Sequence, residues 1–182
     1  MRKVNAILSA AILVLFLVHA IAGGFQLAGV MAGGKTWLSV LAWFMTALIA
    51  AHIGIGVKLT ADTLRIAKRS GAHYYKENRL FWLRRISGFA IVVFIAFHLL
   101  IFMGKSGEVF RLHVFAGAEL VTQILLVLTV AVHVLANIRP LMLALGVRGW
   151  KELFTDILIV LSVILLLAGL SFIAYYIRWN TF

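Results

Sequence analysis

The sequence predicts an all-α integral membrane protein, a single bundle of five transmembrane helices. Two observations favour this fold class. Hydrophobic residues make up 64% of the 182 residues and charged residues only 13%, whereas about a quarter of the residues of a soluble domain are charged. The apolar residues also form five long runs, each close to or above the roughly 20 residues that a helix needs to cross the bilayer core. Because backbone groups must be satisfied inside the membrane, we expect each run to be a helix.

The five predicted helices follow the apolar runs in chain order. Their expected bounds are Val4–Ala22, Trp37–Val57, Ile86–Met103, Leu112–Ile138 and Leu153–Ile177. Pro140 is expected to end the fourth helix, because proline cannot continue the helical hydrogen-bond pattern. There is no internal repeat and no low-complexity linker, so residues 1–182 are interpreted as one domain.

Charge predicts the orientation. The chain carries 17 Lys and Arg against 6 Asp and Glu, for a net charge of +11, and the basic residues gather in alternate connections. They are Arg2, Lys3, Lys58, Arg65, Lys68, Arg69, Lys76, Arg79, Arg84, Arg85, Arg139, Arg148 and Lys151. The positive-inside rule therefore predicts a multi-pass protein of the cytoplasmic (inner) membrane, with its N-terminus in the cytoplasm and its C-terminus outside. In a soluble protein the same charge would indicate nucleic-acid binding.

Four histidines lie inside the predicted helices: His19 in helix 1, His52 in helix 2, His98 in helix 3 and His133 in helix 4. Ionisable side chains are costly inside a bilayer and are candidates for function. A single histidine could simply make a helix–helix hydrogen bond. Four of them, one on each of four consecutive helices, favour a shared binding site.

The depth of the histidines divides them into two pairs. In the predicted topology His19 and His98 lie near the outer ends of their helices, while His52 and His133 each lie six residues before a basic residue at the inner boundary. Neutral imidazole is a good iron ligand, and the core of a helix bundle is a natural cofactor site. Two pairs at two depths predict two stacked haem b groups, with all four histidines as iron ligands. The chain has no cysteine, which excludes a thiolate-held iron–sulfur cluster and covalently attached haem on this chain.

Small and basic residues surround the predicted haem positions. Gly23 and Gly56 follow two of the histidines at i+4, where a missing side chain could leave room for a macrocycle or simply serve helix packing. Arg84, Arg85 and Arg139 lie at the inner boundary. They could bind haem propionates or reflect the positive-inside bias alone.

Two motifs accompany the histidines. The segment Trp82-Leu83-Arg84-Arg85-Ile86-Ser87-Gly88 leads towards His98, and His133 is followed by Asn137-Ile138-Arg139. With the four helix histidines, these motifs resemble the cytochrome b membrane-anchor subunit of succinate:quinone oxidoreductases (succinate dehydrogenases and fumarate reductases), of the type with one five-helix subunit and two haems. The resemblance covers essentially the whole chain, although Asn137 stands where this family usually has glycine.

The resemblance implies a place in a complex. His52 and His133 would hold the haem near the cytoplasmic subunits, and His19 and His98 the distal one. A flavoprotein subunit and an iron–sulfur subunit would dock on the basic face and carry out the succinate chemistry, and the whole complex could dimerise. This chain would relay electrons to or from menaquinone or ubiquinone. Some fumarate reductases of this type use acidic residues for proton passage. This chain has no acid two residues before His133, where Ala131 stands, so the resemblance does not extend to a proton pathway.

The sequence offers two candidate quinone sites. Glu119 lies about 21 Å outward of His133 and within about 40° of its face, with Gln26 and His113 as possible neighbours. Its carboxylate could accept a quinol proton or lie at the membrane interface. The inner candidate is Ser87 with Arg84, which could instead serve helix capping and propionate binding.

Other functions fit part of the pattern. The chain could anchor a different respiratory enzyme, such as a formate dehydrogenase or a hydrogenase. A transporter or scaffold whose histidines bind protons or a transition metal is a different class, but the broken helices typical of transporters are not apparent. His73, beside Tyr74 and Tyr75 in the basic loop, is interpreted as a residue that faces a partner rather than a ligand.

Overall fold

The computed structural model describes residues 1–71, 78–103, 114–147 and 151–180. These residues form helices and connections, with no strand among them. The five helices are α1 (Arg2–Leu27), α2 (Thr36–Ser70), α3 (Arg79–Phe102), α4 (Gly117–Ala144) and α5 (Lys151–Asn180). Each is long and apolar enough to cross a membrane. The prediction of an all-helical, multi-pass membrane protein is confirmed, and the direction in which it crosses stays a prediction.

Helix α2 is longer than predicted. It continues from the expected end at Val57 to Ser70 and is capped by Gly71 at a positive φ of 67°, a conformation that glycine adopts readily. Its 35 residues span about 52 Å, whereas the hydrocarbon core is about 30 Å thick. The apolar run ends just before Lys58, but a charged residue marks a membrane boundary and does not stop a helix. The last part of α2 therefore extends about 20 Å beyond the apolar segment.

Two predicted helix starts are also corrected. Helix α3 begins at Arg79 instead of Ile86, with Asn78 as its N-cap, so Ser87 lies well inside the helix and does not cap it. Helix α4 begins at Gly117 instead of Leu112. There the Glu119 carboxylate accepts a 2.7 Å hydrogen bond from the Ala116 backbone N–H, which satisfies a donor left over at the helix start.

The prediction that Pro140 ends α4 is wrong, because Pro140 lies inside the helix. Proline has no N–H for the carbonyl four residues earlier, which here belongs to Ala136. Arg84 of α3 replaces the missing donor, because its Nε donates to the Ala136 oxygen at 2.9 Å. The helix can therefore continue through the proline without leaving that carbonyl unsatisfied.

The helices run alternately up and down. Helix α4 packs between α3 and α5, while α1 packs against α2, α4 and α5. One end of the bundle is closed by a buried cluster, which we call the aromatic end: Leu27, Ile101, Phe115, Phe172 and Tyr175. The opposite end, the basic end, is where α1, α3 and α5 begin and where α2 and α4 finish. It carries Arg2, Lys58, Arg65, Lys68, Arg69, Arg79, Arg84, Arg85, Arg139 and Lys151.

Candidate functional site: paired histidines in a central cavity

A large cavity of about 1670 Å³ runs through the interior of the bundle. Helices α1 to α4 supply most of its walls, and α5 closes part of it at Leu165, Ala168, Ser171 and Phe172. Typical small-molecule pockets have about 300–1,000 Å³, so this cavity has room for more than one sizeable ligand. Most of its lining residues are apolar, and all four helix histidines lie on its walls.

The structure brings His19 and His98 together towards the aromatic end. Their ring centroids are 6.1 Å apart, with the ring planes at 77°. On its other sides His98 contacts Phe102, at 4.8 Å between centroids, and Phe172, at 6.5 Å. The two histidines that the sequence placed at one depth therefore face each other, beside the buried aromatic cluster.

His52 and His133 form the second pair, towards the basic end. Both line the cavity, their rings are close enough to interact electrostatically, and both lie within range of the Arg85 guanidinium. Each ring is held by a serine from another helix. The distances are 3.3 Å from His52 Nδ1 to Ser9 Oγ and 3.2 Å from His133 Nδ1 to Ser87 Oγ.

The hydrogen bonds of the two serines favour a proton on Nδ1 of each of these rings. Ser9 donates its hydroxyl proton to the Asn5 carbonyl at 2.8 Å, and Ser87 donates to the Arg84 carbonyl at 3.3 Å. Each serine oxygen is thus left as an acceptor for a histidine Nδ1–H. A neutral imidazole that carries its proton on Nδ1 has a free lone pair on Nε2, so both histidines can offer Nε2 to a metal.

His98 has the same arrangement with an amide as its acceptor. Its Nδ1 lies 2.7 Å from Oε1 of Gln123, a side chain with 0% exposure. Metal-binding histidines usually donate their second ring N–H to a fixed acceptor, which sets the tautomer and the ring orientation. Three of the four helix histidines show this feature, and for His19 the structure shows the ring contact with His98.

The absence of a side chain at Gly88 leaves room for the His133 ring. A Cβ at Gly88 would lie 3.0 Å from Cε1 and 3.3 Å from Nδ1 of His133, so a side chain there would push against the ring. Gly23 and Gly56, the glycines first noticed in the sequence, also line the cavity. A Cβ at Gly23 would meet nothing within 4 Å, and one at Gly56 would lie 3.9 Å from the Arg85 guanidinium. Of these three glycines, Gly88 in the Trp82–Gly88 segment is therefore the one whose missing side chain leaves room for a histidine ring.

Two of the three predicted arginines reach the cavity. Arg84 and Arg85 are among its lining residues. Arg84 uses its Nε on the Ala136 carbonyl, and the Arg85 guanidinium lies 5.2 Å from the centroid of the Phe81 ring. Arg139 is exposed and does not line the cavity.

The two candidate quinone residues have other contacts in the structure. The Glu119 carboxylate caps α4 and is not among the lining residues of the cavity. Ser87 is hydrogen-bonded to His133. Gln26 lines the cavity and donates to the Ala32 carbonyl at 3.3 Å. His113 and the partner-facing candidate His73 lie outside the described residues.

The sequence analysis missed Ser9 and Gln123. A signal was present, because each is a polar residue inside an apolar run, where polar groups are expensive and need a partner. Their partners could not be named, since this depends on how each helix is rotated about its axis. Asn137, the departure from the family motif, donates from Nδ2 to the His133 carbonyl at 2.7 Å within α4.

Within the described parts of the chain, no three His, Cys, Asp or Glu side chains converge on one point. The histidines occur as pairs, and each pair can supply two neutral nitrogen ligands. Structural zinc sites use four protein ligands and catalytic ones three. A pair of nitrogen ligands in a cavity suits a metal whose remaining ligands belong to a cofactor. No family model, no curated protein and no solved structure matches this chain.

Proposed function

We propose that this protein is a diheme b-type cytochrome of the cytoplasmic membrane. In this proposal it anchors a succinate dehydrogenase or fumarate reductase complex and relays electrons between its iron–sulfur subunit and a membrane quinone. The observation that carries the proposal is the shared pattern of His52, His98 and His133. Each has a fixed acceptor on Nδ1, each leaves Nε2 free, and all three line one apolar cavity with His19.

The spacing of the aromatic-end pair supports ligation by two histidines. Two imidazole rings that bound one metal from opposite walls of a cavity, with each nitrogen about 2.0–2.1 Å from the metal, would have their centroids about 6 Å apart. The His19 and His98 centroids are 6.1 Å apart. The donor set and its spacing would therefore suit a haem iron held by His19 and His98.

The surroundings of the basic-end pair support the second haem. Haem carries two propionate carboxylates, and a buried anion needs a cation or hydrogen-bond donors close by. Arg84 and Arg85 line the cavity at this end. We assign them to the propionates of the haem held by His52 and His133. Gly88 keeps the His133 ring free of a clash.

The residues of this chain would hold and tune the electron carriers. Haem iron supplies a one-electron Fe(III)/Fe(II) couple, with a potential set by its axial ligands, their hydrogen bonds and its burial. The four imidazoles hold the two positions, the serines and Gln123 fix the ring orientations, and the apolar walls limit the access of water.

The partners follow from charge and composition. The chain has no cysteine, so an iron–sulfur centre must belong to another subunit. The basic end, with the extended part of α2, offers a positively charged surface beyond the apolar segments. We assign this surface to the flavoprotein and iron–sulfur subunits, which places the His52–His133 haem next to the soluble electron source or acceptor.

The test is a reduced-minus-oxidised absorbance spectrum of the purified protein, with the haem counted per chain. We expect two low-spin b haems in the wild type and one lost or perturbed haem in each of His19→Ala and His52→Ala. His73→Ala is the matched control and should keep both. A well-folded wild type without haem, produced with haem supplied, would refute the cytochrome assignment and favour a transporter or scaffold.

Co-purification identifies the enzyme that the cytochrome serves. A flavin-containing subunit, together with haem that succinate reduces, supports the succinate or fumarate assignment. Haem reduced by formate or hydrogen instead assigns the chain to a formate dehydrogenase or a hydrogenase and contradicts the lead proposal.

A further inference from the structure

We propose that Gln123 is a positioning residue that makes the haem between His19 and His98 harder to reduce. It does so by accepting the Nδ1 proton of His98, which increases electron donation from Nε2 to the iron. This inference rests on the proposed function, because it concerns the potential of a haem assigned there.

The first support is the position of Gln123. Its side chain is fully buried, and its Oε1 lies 2.7 Å from His98 Nδ1. An amide in an apolar interior is costly unless it is hydrogen-bonded. The glutamine is thus placed where its main interaction is with the histidine.

The second support is the direction of the hydrogen bonds. The Thr122 hydroxyl donates to the Glu119 carbonyl at 2.7 Å, so its oxygen is left to accept, and the amide Nε2 of Gln123 donates to that oxygen at 3.1 Å. This fixes the amide with Oε1 towards His98. An amide oxygen has no proton to give, so His98 must be the donor.

The third support is the difference between the two ends. The serine contacts of His52 and His133 are 3.3 and 3.2 Å long, against 2.7 Å for the contact of His98 with Gln123. A shorter hydrogen bond in a more deeply buried site is the stronger one. His98 therefore receives the larger increase in ligand basicity.

The expected effect has a definite sign. Reduction adds one electron to Fe(III) and gives Fe(II), and in a redox titration that electron comes from dithionite through soluble mediators. A more strongly donating imidazole stabilises Fe(III) more than Fe(II), because the higher charge gains more from a donor. Removing the Gln123 acceptor should therefore make reduction easier and raise the potential of this haem alone.

The experiment is a potentiometric titration of the haem-loaded full chain. In Gln123→Leu we expect about a tenfold shift of the Fe(III)/Fe(II) equilibrium towards Fe(II), which is about 59 mV for one electron. The shift should affect only the haem that His19→Ala removes, and the electron paramagnetic resonance spectrum of that haem should change. Gln123→Glu, which keeps an oxygen at the same reach, should stay at or below the wild-type potential.

The outcomes separate the two proposals. A wild type without haem refutes the proposed function before any titration begins. An unchanged or lower potential in Gln123→Leu with both haems present, an equal shift of both haems, or loss of this haem in both variants would overturn the role of Gln123. Loss of this haem in Gln123→Leu with retention in Gln123→Glu supports the role of Gln123 as the acceptor for His98, because the glutamate keeps an oxygen at that position and the leucine does not.

Discussion

At the aromatic end, His98 is packed against Phe102 and Phe172 and bonded to the buried amide of Gln123. At the basic end, His52 is hydrogen-bonded to Ser9 and His133 to Ser87. Both histidine rings lie close enough to the Arg85 guanidinium to interact with it electrostatically. One end thus holds its histidine pair mainly by ring packing and one short hydrogen bond. The other uses longer hydrogen bonds and nearby positive charge.

This difference predicts how each end responds to change. Substitutions at the aromatic end should remove packing contacts and lower the stability of the whole bundle, because the cluster joins α1, α3, α4 and α5. Substitutions at the basic end should act locally on the His52–His133 pair, because they remove single contacts. The following predictions test this contrast, beginning with the loss of a whole haem and ending with the smallest expected change.

The largest local effect is expected for Gly88→Val. Its side chain would meet the His133 ring, which already lies 3.0 Å from the position of a Cβ. We expect loss of the haem proposed between His52 and His133, together with an overpacking cost of about 1–3 kcal/mol. The haem-to-protein ratio should fall from two to one. Gly54→Val is the control, because nothing lies within 4 Å of its Cβ position and Gly54 does not line the cavity. Two retained haems in Gly88→Val would contradict the proposed ligand geometry.

Phe115→Ala should produce the largest loss of stability. Phe115 is 1% exposed and stacks near Phe102, Phe172 and Tyr175. Truncation of a buried phenylalanine costs up to about 3–5 kcal/mol, so the midpoint of thermal unfolding in detergent should fall clearly. Phe89→Ala, at a site that is 74% exposed, should leave the midpoint almost unchanged. Equal effects of the two would show that the cluster does not hold this end together.

Arg84 and Pro140 should be energetically coupled. Arg84→Met leaves the Ala136 carbonyl without its 2.9 Å donor, and an unsatisfied buried group costs about 1–3 kcal/mol. Adding Pro140→Ala restores a backbone N–H at residue 140 and should recover most of that loss. The measurement is a double-mutant cycle of unfolding free energies. Simple additivity of the two substitutions would contradict the explanation of the continuous helix.

The smallest effects are expected at the two serines. Ser9→Ala and Ser87→Ala each remove one acceptor of a histidine Nδ1–H, and a neutral hydrogen bond contributes about 0.5–1.5 kcal/mol. Each should raise the potential of the basic-end haem by less than Gln123→Leu raises that of the other haem. Thr129→Ala is the control, because the Thr129 hydroxyl bonds only to carbonyls of its own helix. A larger shift of the haem potential in Ser9→Ala or Ser87→Ala than in Gln123→Leu would contradict the claim that the hydrogen bond at the aromatic end is the stronger one.

Hydropathy and the length of the apolar runs were enough to predict the five helices, and the depth of each histidine was enough to pair His19 with His98. These features depend on composition and on position along one helix. The partners of the histidines were not predictable in the same way. Whether Ser9 reaches His52 or Gln123 reaches His98 depends on the rotation of two helices about their axes, which hydropathy does not determine.

Two further differences have local causes. Helix α2 passes Lys58 because helical hydrogen bonds continue in water as they do in lipid, so the charge pattern marks the membrane and not the helix. Helix α4 passes Pro140 because Arg84 of α3 donates the missing hydrogen bond to the Ala136 carbonyl. The two residues are 52 positions apart in the sequence. A rule based on neighbouring residues cannot include a donor from another helix.

The central claim is that two histidine pairs hold two haems independently. The most direct measurement is the haem-to-protein ratio of four proteins: the wild type, His98→Ala, His133→Ala and the double variant. The account predicts ratios of two, one, one and zero. A wild type without haem, or a ratio that both single substitutions leave unchanged, would contradict it.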